Sequence, residues 1–184
     1  MLKVVILITS FGVAFQQEYD ISLRHGPFEL MSGPAHWSAS QFEMVKLIVS
    51  ETRCDQHPHL MVAIAEVESS FDAKSINWKT RDVGLFQINY RWHGKQLNTK
   101  TYEEFKIIML DPEKNTRYAL QVVKDMRRYR GCQRGDLPAC YNGGPGWRIS
   151  KNRLKIQAYR DKVNQLARRY EKNSPGWKKQ CPGK

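Results

Sequence analysis

One glutamate stands out because of where the sequence places it. Glu68 follows an apolar run with helical spacing, made up of Leu60, Met61, Ile64, Ala65 and Val67. This run predicts a mostly buried helix with Glu68 at its far end. Burial disfavours the charged form of a carboxyl group, so its proton is held toward neutral pH. A carboxylic acid in that state can protonate a leaving oxygen, which makes Glu68 the candidate general acid.

A second carboxylate, Asp82, follows in a run that mixes apolar residues with Gly84 and Gln87. Val83, Leu85 and Ile88 in this run predict a short bent strand, and a glycine in a strand permits close approach of another group. A second carboxylate can stabilise a developing positive charge or attack it. Asp82 is equally compatible with a turn residue that binds its own backbone.

Four motifs resemble those of the soluble lytic transglycosylases, which share the lysozyme-like fold. They are Glu68-Ser69-Ser70-Phe71, Gly84-Leu85-Phe86-Gln87-Ile88, Tyr141-Asn142-Gly143-Gly144-Pro145-Gly146, and Tyr159 with Lys162-Val163. Within that family the chain is most similar to the small transglycosylases of secretion systems. The run from Asp82 to Asn89 also resembles c-type lysozyme. The resemblance extends over residues 40 to 170.

The resemblance implies cleavage of the β-1,4 bond after N-acetylmuramic acid in peptidoglycan, without a cofactor or a metal. By this resemblance Glu68 first protonates the leaving oxygen and then acts as a base toward the sugar's own C6 hydroxyl, giving a 1,6-anhydro product. Substrate-binding residues would be Gln87, Asn89, Tyr141, Asn142 and Tyr159. Of these, Tyr159 would reach toward Glu68.

Two other functions stay open at this point. The first is a lysozyme-type hydrolase that uses Glu68 and Asp82 together. The second is a non-catalytic wall-binding subunit of a secretion channel or phage particle, although retention of Glu68 argues against it. Glycan strands are the expected partner. Nucleic acid is not expected, because the arginines are spread over several predicted helices and form no known binding module.

The fold class expected is mainly α, a lysozyme-like domain over residues 38–172 with a small β-element beside the catalytic helix. Helix-start signals occur at Ser38 or Ser40, Pro58, Thr101 and Asp111-Pro112, and the last helix is predicted from about Ser150 to Glu171. At 184 residues the chain is long enough for one sizeable core.

The two ends of the chain lie outside this predicted domain. Residues 1–14 contain an apolar run after Lys3 and end in Gly12-Val13-Ala14, which predicts a secretory signal cleaved after Ala14. The alternatives are an uncleaved anchor or a buried terminal strand. Residues 15–37 are interpreted as an arm and 173–184 as a basic tail with Trp177. A signal predicts a periplasmic or envelope location; the alternative is a phage virion.

Four cysteines, at positions 54, 132, 140 and 181, suggest disulfides in an exported protein. Four cysteines allow three pairings, of which Cys132–Cys140 with Cys54–Cys181 is favoured because the first two are neighbours in sequence. Zinc is not expected, since no CxxC pair occurs. In a cytoplasmic protein all four would be reduced.

The formal charge of +12 is high for a chain of this length. A basic surface favours anionic partners, including the bacterial wall, but it also serves simply for solubility. His57 and His59 flank Pro58 at a helix start and are interpreted as solvent-facing side chains, not as metal ligands. His93 is interpreted as structural.

Overall fold

The computed structural model describes residues 37–55 and 57–178. The predicted signal at 1–14, most of the arm at 15–37 and Cys181 in the tail lie outside the described residues. In the described part of the chain the helices are α1 (Ala39–Thr52), α2 (Pro58–Ser69), α3 (Tyr90–His93), α4 (Tyr102–Met109), α5 (Pro112–Met126), α6 (Leu137–Gly143) and α7 (Arg153–Asn173). Short 3-10 turns lie at Arg53–Asp55, Arg130–Cys132, Arg134–Asp136, Trp147–Ile149 and Pro175–Lys178.

The predicted helix starts at Ser38, Thr101 and Asp111 are present, and at each of them the side chain caps the first backbone N–H groups of the helix. Ser38 forms a capping box with Gln41 at the start of α1, and Thr101 accepts a hydrogen bond from the Glu104 N–H at the start of α4. Asp111 caps α5 by accepting from the N–H groups of residues 113 and 114. The last helix begins at Arg153, later than expected, because Trp147–Ile149 forms a separate 3-10 turn and Ser150 is extended.

A small antiparallel sheet lies beside α2. Its strands are β1 (Ile76–Asn77), β2 (Asp82–Val83) and β3 (Ile88–Asn89), with Asp82 paired to Asn77 on one side and to Asn89 on the other. The prediction of one bent strand through this run is wrong. Gly84 (φ 81°) and Gln87 (φ 46°) have left-handed backbone conformations, so the chain reverses between two short strands.

Helix α2 is the centre of the core. It packs against α1 on one side and α7 on the other, and five successive residues from Met61 to Ala65 are fully buried. Phe86 and Leu85 of the hairpin, Phe105 of α4 and Val163 of α7 complete the same cluster. The expectation of a mainly α protein with a small β-element beside the candidate catalytic helix is confirmed.

Aromatic residues from both ends of the described chain pack onto this core. Trp37 lies edge-on to Phe71 with ring centroids 5.4 Å apart. Trp177 is buried and stacks on His59, at 5.0 Å, and on Tyr170. His59 is therefore buried, which corrects its interpretation as a solvent-facing residue. Its flat ring lies beneath the indole, and its Nε2 is 2.8 Å from the Ser174 carbonyl oxygen.

A disulfide joins Cys132 to Cys140, with Cα atoms 5.6 Å apart. It ties the turn at Arg130–Cys132 to α6, directly before Tyr141. Cys54 is exposed in the turn Arg53–Asp55, which packs against the turn at Pro175–Lys178. Its pairing with Cys181 stays a prediction, because Cys181 is outside the described residues. No helix within 37–55 or 57–178 has both the length and the apolarity to cross a membrane.

Candidate active site

Glu68 lies in the last turn of α2, where the buried face of the helix ends. The helix stops because Ser70 (φ 53°) and Phe71 (φ 65°) adopt left-handed conformations in succession. Such conformations are strained for residues other than glycine, and they concentrate at functional sites. The Gln41 side chain donates a hydrogen bond of 3.1 Å to the Ser70 carbonyl and holds this sharp turn.

Tyr159, on α7, is the direct partner of Glu68. Its hydroxyl donates a hydrogen bond of 2.6 Å to Glu68 Oε1. This contact forms because α2 packs closely against α7, and Glu68 and Tyr159 lie on the sides of the two helices that face each other. Burial raises the pKa of the Tyr159 hydroxyl well above its usual value, as does the neighbouring Glu68. The hydroxyl therefore remains protonated and acts as a donor.

Burial raises the pKa of Glu68 from 4.5 to about 7. The hydrogen bond from Tyr159 opposes this by favouring the charged form, whereas the negative charge of Asp82 adds to it. The carboxyl group can then exist in either protonation state near neutral pH. This is the property required of a group that first gives a proton and later takes one.

Asp82 is held by side chains and not by its own backbone. Its Oδ1 accepts a hydrogen bond of 2.6 Å from Asn89 Nδ2, and its Oδ2 accepts one from the Thr80 hydroxyl. The turn role considered for Asp82 is filled by Asn77, whose Oδ1 accepts from the backbone N–H groups of Lys79 and Thr80. Asp82 is thus an oriented carboxylate whose charge acts on Glu68.

Tyr141 lies on α6 and contacts the turn between β2 and β3. It is partly buried as a residue, and its hydroxyl donates a hydrogen bond of 2.7 Å to the Phe86 carbonyl. Burial of the hydroxyl raises its pKa well above the usual value, and the charges of Glu68 and Asp82 act in the same direction. Tyr141 is therefore in the same electrostatic environment as the two carboxylates. Its neighbour Asn142 is exposed.

Gln87 folds back onto its own turn. Its Nε2 donates to the Gly84 carbonyl at 2.9 Å and to the Ser75 carbonyl at 3.2 Å. The side chain thereby joins the turn between β2 and β3 to the segment before β1. The structure thus gives Gln87 a role in shaping the hairpin beside Glu68, in addition to the substrate contact expected from the sequence.

Asn115 organises this hairpin and was missed in the sequence analysis. This fully buried side chain accepts from the Phe86 N–H and donates to the carbonyls of Val83 and Met109, each at 2.9 Å. A Cβ at Gly84 would lie 2.3 Å from the Met109 carbonyl oxygen and 2.4 Å from Asn115 Nδ2, so the ends of α4 and α5 can approach this turn only because residue 84 is glycine. One signal in the sequence could have identified it: Asn115 lies four positions before Ala119, so this polar residue falls on the apolar face of α5.

His93 lies in a structural contact. The Nδ1 of His93 is 3.1 Å from the Tyr118 hydroxyl and 3.3 Å from Gln96 Oε1, and burial lowers the pKa of His93. Within the described residues, no group of three histidine, cysteine, aspartate or glutamate side chains could hold a metal ion.

Comparison with known families gives a match over most of the candidate site. The family model described as "Transglycosylase SLT domain" matches residues 47–164, more than half of the chain. This range contains Glu68, Asp82, Tyr141 and Tyr159. No curated protein matches the chain significantly.

Proposed function

We propose a reaction for this chain from one premise: it belongs to the transglycosylase SLT domain family, which cleaves glycosidic bonds of peptidoglycan. The proposal is that it cuts the β-1,4 bond between N-acetylmuramic acid and N-acetylglucosamine and releases a 1,6-anhydro product. Glu68 is the general acid and then the general base. The observation that carries this proposal is the buried Glu68 carboxyl, with a pKa of about 7, in a hydrogen bond with Tyr159.

The two steps require one group to change its protonation state. In the first step Glu68 gives its proton to the leaving glycosidic oxygen as the bond to the anomeric carbon breaks. The ionised Glu68 then removes the proton from the C6 hydroxyl, whose oxygen bonds to the anomeric carbon and closes the anhydro ring. The proton returns to Glu68, so the cycle uses no water. A positioned hydroxyl of the same sugar has a large effective concentration compared with solvent.

Asp82 supports the positive charge that develops on the sugar ring. Both of its oxygens accept hydrogen bonds, from Asn89 and Thr80, which fix the orientation of the carboxylate. A carboxylate held in this way can stabilise an oxocarbenium-like state electrostatically. Asn89 therefore acts through Asp82, and we propose it as a positioning residue as well as a contact for the glycan.

Mass spectrometry of the muropeptides released from purified peptidoglycan tests the reaction. A transglycosylase gives products one water lighter than those of a hydrolase, because the C6 hydroxyl closes the reaction. We expect the anhydro form from the wild-type protein and no release by a folded Glu68→Gln variant. General acid and base help is worth roughly 10²- to 10⁴-fold for each use, and here one group serves twice.

Two results would replace this proposal with another function. If the wild-type protein releases mainly reducing-end sugars, and Asp82→Asn no longer releases them, the protein is a lysozyme-type hydrolase. Wall binding without release of muropeptides by the wild-type protein would identify a non-catalytic wall-binding subunit.

We also propose that the protein is exported to the compartment that contains the wall. The support is the Cys132–Cys140 disulfide, since such bonds persist in oxidising compartments. Interaction with a secretion apparatus or a phage particle is part of the same proposal and rests on the sequence resemblance alone.

A further inference from the structure

A tryptophan is exposed at the tip of the hairpin formed by β1 and β2. Trp78 follows Asn77 directly and leaves 66% of its surface in solvent. Exposure of a large aromatic ring adds little to folding. Singly exposed apolar residues are common, so it is the position of this ring beside the candidate active site, and not its exposure alone, that points to a binding surface.

The turn that carries Trp78 is fixed to the candidate active site. The Arg81 N–H donates to the Asn77 carbonyl at 2.7 Å, and Asn89 Nδ2 donates to the Thr80 carbonyl at 2.8 Å. The Thr80 hydroxyl also donates to Asp82. Asn89 and Thr80 both donate to the Asp82 carboxylate. Because Asn89 also bonds the turn and Thr80 lies within it, Trp78 has a defined position relative to Asp82.

The indole is braced from the side of α4. Tyr102 lies edge-on to Trp78, with centroids 6.4 Å apart and planes at 76°, and Lys106 Nζ is 5.2 Å from the centre of the indole. Tyr102 in turn packs on Tyr90, which packs on the fully buried Phe105. These contacts hold the ring in place without covering it, so little conformational entropy is lost when a ligand binds.

We propose that Trp78, braced by Tyr102, is a stacking platform for an N-acetylhexosamine ring of the glycan strand, on the Asp82 side of the site. The inference rests on the proposed function and adds a binding position to it. One face of a pyranose ring presents C–H groups, which pack on the flat face of an indole. The positive side chain of Arg81, over the Tyr102 ring beside the platform, suits a substrate that carries acidic stem peptides.

Isothermal titration with soluble peptidoglycan glycan strands, in the Glu68→Gln background, tests the platform without cleavage of the ligand. We expect Trp78→Ala to weaken binding about two- to tenfold, the range of one aromatic contact, and Trp78→Phe to retain most of the affinity. The matched control is Tyr129→Ala. Tyr129 is 51% exposed and precedes the turn at Arg130–Cys132, on a different element, and its loss should leave the affinity unchanged.

The outcomes separate this inference from the proposed function. If the Glu68→Gln parent binds glycan and Trp78→Ala binds equally well, the platform is wrong and the proposed function stands. If the parent binds no glycan, both fail. Thermal unfolding of each variant excludes a folding defect, since an exposed substitution changes stability by about 0.5 kcal/mol or less. In the active enzyme we expect Trp78→Ala to raise KM more than it lowers kcat, and the opposite split would overturn the platform.

Discussion

The Tyr159 hydroxyl and the Glu68 carboxyl, 91 positions apart in the chain, are joined by a 2.6 Å hydrogen bond. This bond connects α2 to α7 at the point where the buried face of α2 ends. It favours the charged form of Glu68, against the burial that favours the neutral form. The balance between the two places the pKa of Glu68 at about 7 and leads to predictions about pH.

Removal of the Tyr159 hydroxyl should move the alkaline limb of activity to higher pH. The hydrogen bond lowers the pKa of Glu68, so Tyr159→Phe raises this pKa, and the general acid stays protonated over a wider range. The measurement is kcat/KM against pH with soluble glycan strands. A limb that moves to lower pH would show that Tyr159 does not stabilise the carboxylate.

Neutralisation of Asp82 should move the same limb in the opposite direction. The negative charge of Asp82 raises the pKa of Glu68, so Asp82→Asn lowers it, and activity falls from a lower pH. The maximal rate should also decrease while the product remains the anhydro form, because the proposed mechanism has Asp82 support charge and not attack the sugar. An unchanged pH profile in Asp82→Asn would contradict electrostatic coupling of the two carboxylates.

Replacement of Glu68 should stabilise the protein at alkaline pH. The pKa of Glu68 is raised on folding, so its unfavourable contribution develops as pH rises from 4.5 to about 7 and is complete above that. Glu68→Gln removes this penalty and retains an acceptor for Tyr159. We expect a gain of about 1 to 3 kcal/mol in the free energy of unfolding at pH 8 and little at pH 4. Denaturant unfolding at both pH values measures it, and a gain that is equal at the two would refute a titrating Glu68.

Truncation of Asn115 should loosen the hairpin and lower stability. Asn115→Ala leaves the Phe86 N–H and two carbonyls without their buried partner, at a cost of about 2 to 4 kcal/mol. Gln121→Ala on the exposed face of α5 is the matched control, with an expected change within about 0.5 kcal/mol. Chemical denaturation of both variants provides the comparison. Equal effects would show that Asn115 does not organise the hairpin.

Peptide mapping without reduction should recover Cys132 joined to Cys140. A loop of this length restricts the unfolded chain by only about 2 to 3 kcal/mol, so its loss should loosen the segment before Tyr141 more than it unfolds the domain. Free thiols at both positions would refute the bridge and weaken the proposal of export. The same map determines whether Cys54 is joined to Cys181.

Several features could be predicted from the sequence because they depend on neighbouring residues. Helix caps at Ser38, Thr101 and Asp111 act within one turn, and the apolar period before Glu68 identifies a buried helix that ends in a carboxyl group. The motif order was enough to identify the family, which the match to residues 47–164 confirms. In each case the signal and the structure lie in the same short segment.

Other features were decided only when distant segments packed together. No local pattern shows that Asn115 would bind three backbone groups, or that the run after Asp82 would reverse into two strands at Gly84 and Gln87. The burial of His59 depends on Trp177, more than one hundred positions away, whose ring covers it. The type of a residue and its local spacing determine what chemistry it can perform. Its pKa and its partners depend on which surfaces exclude water around it, and those belong to the tertiary structure.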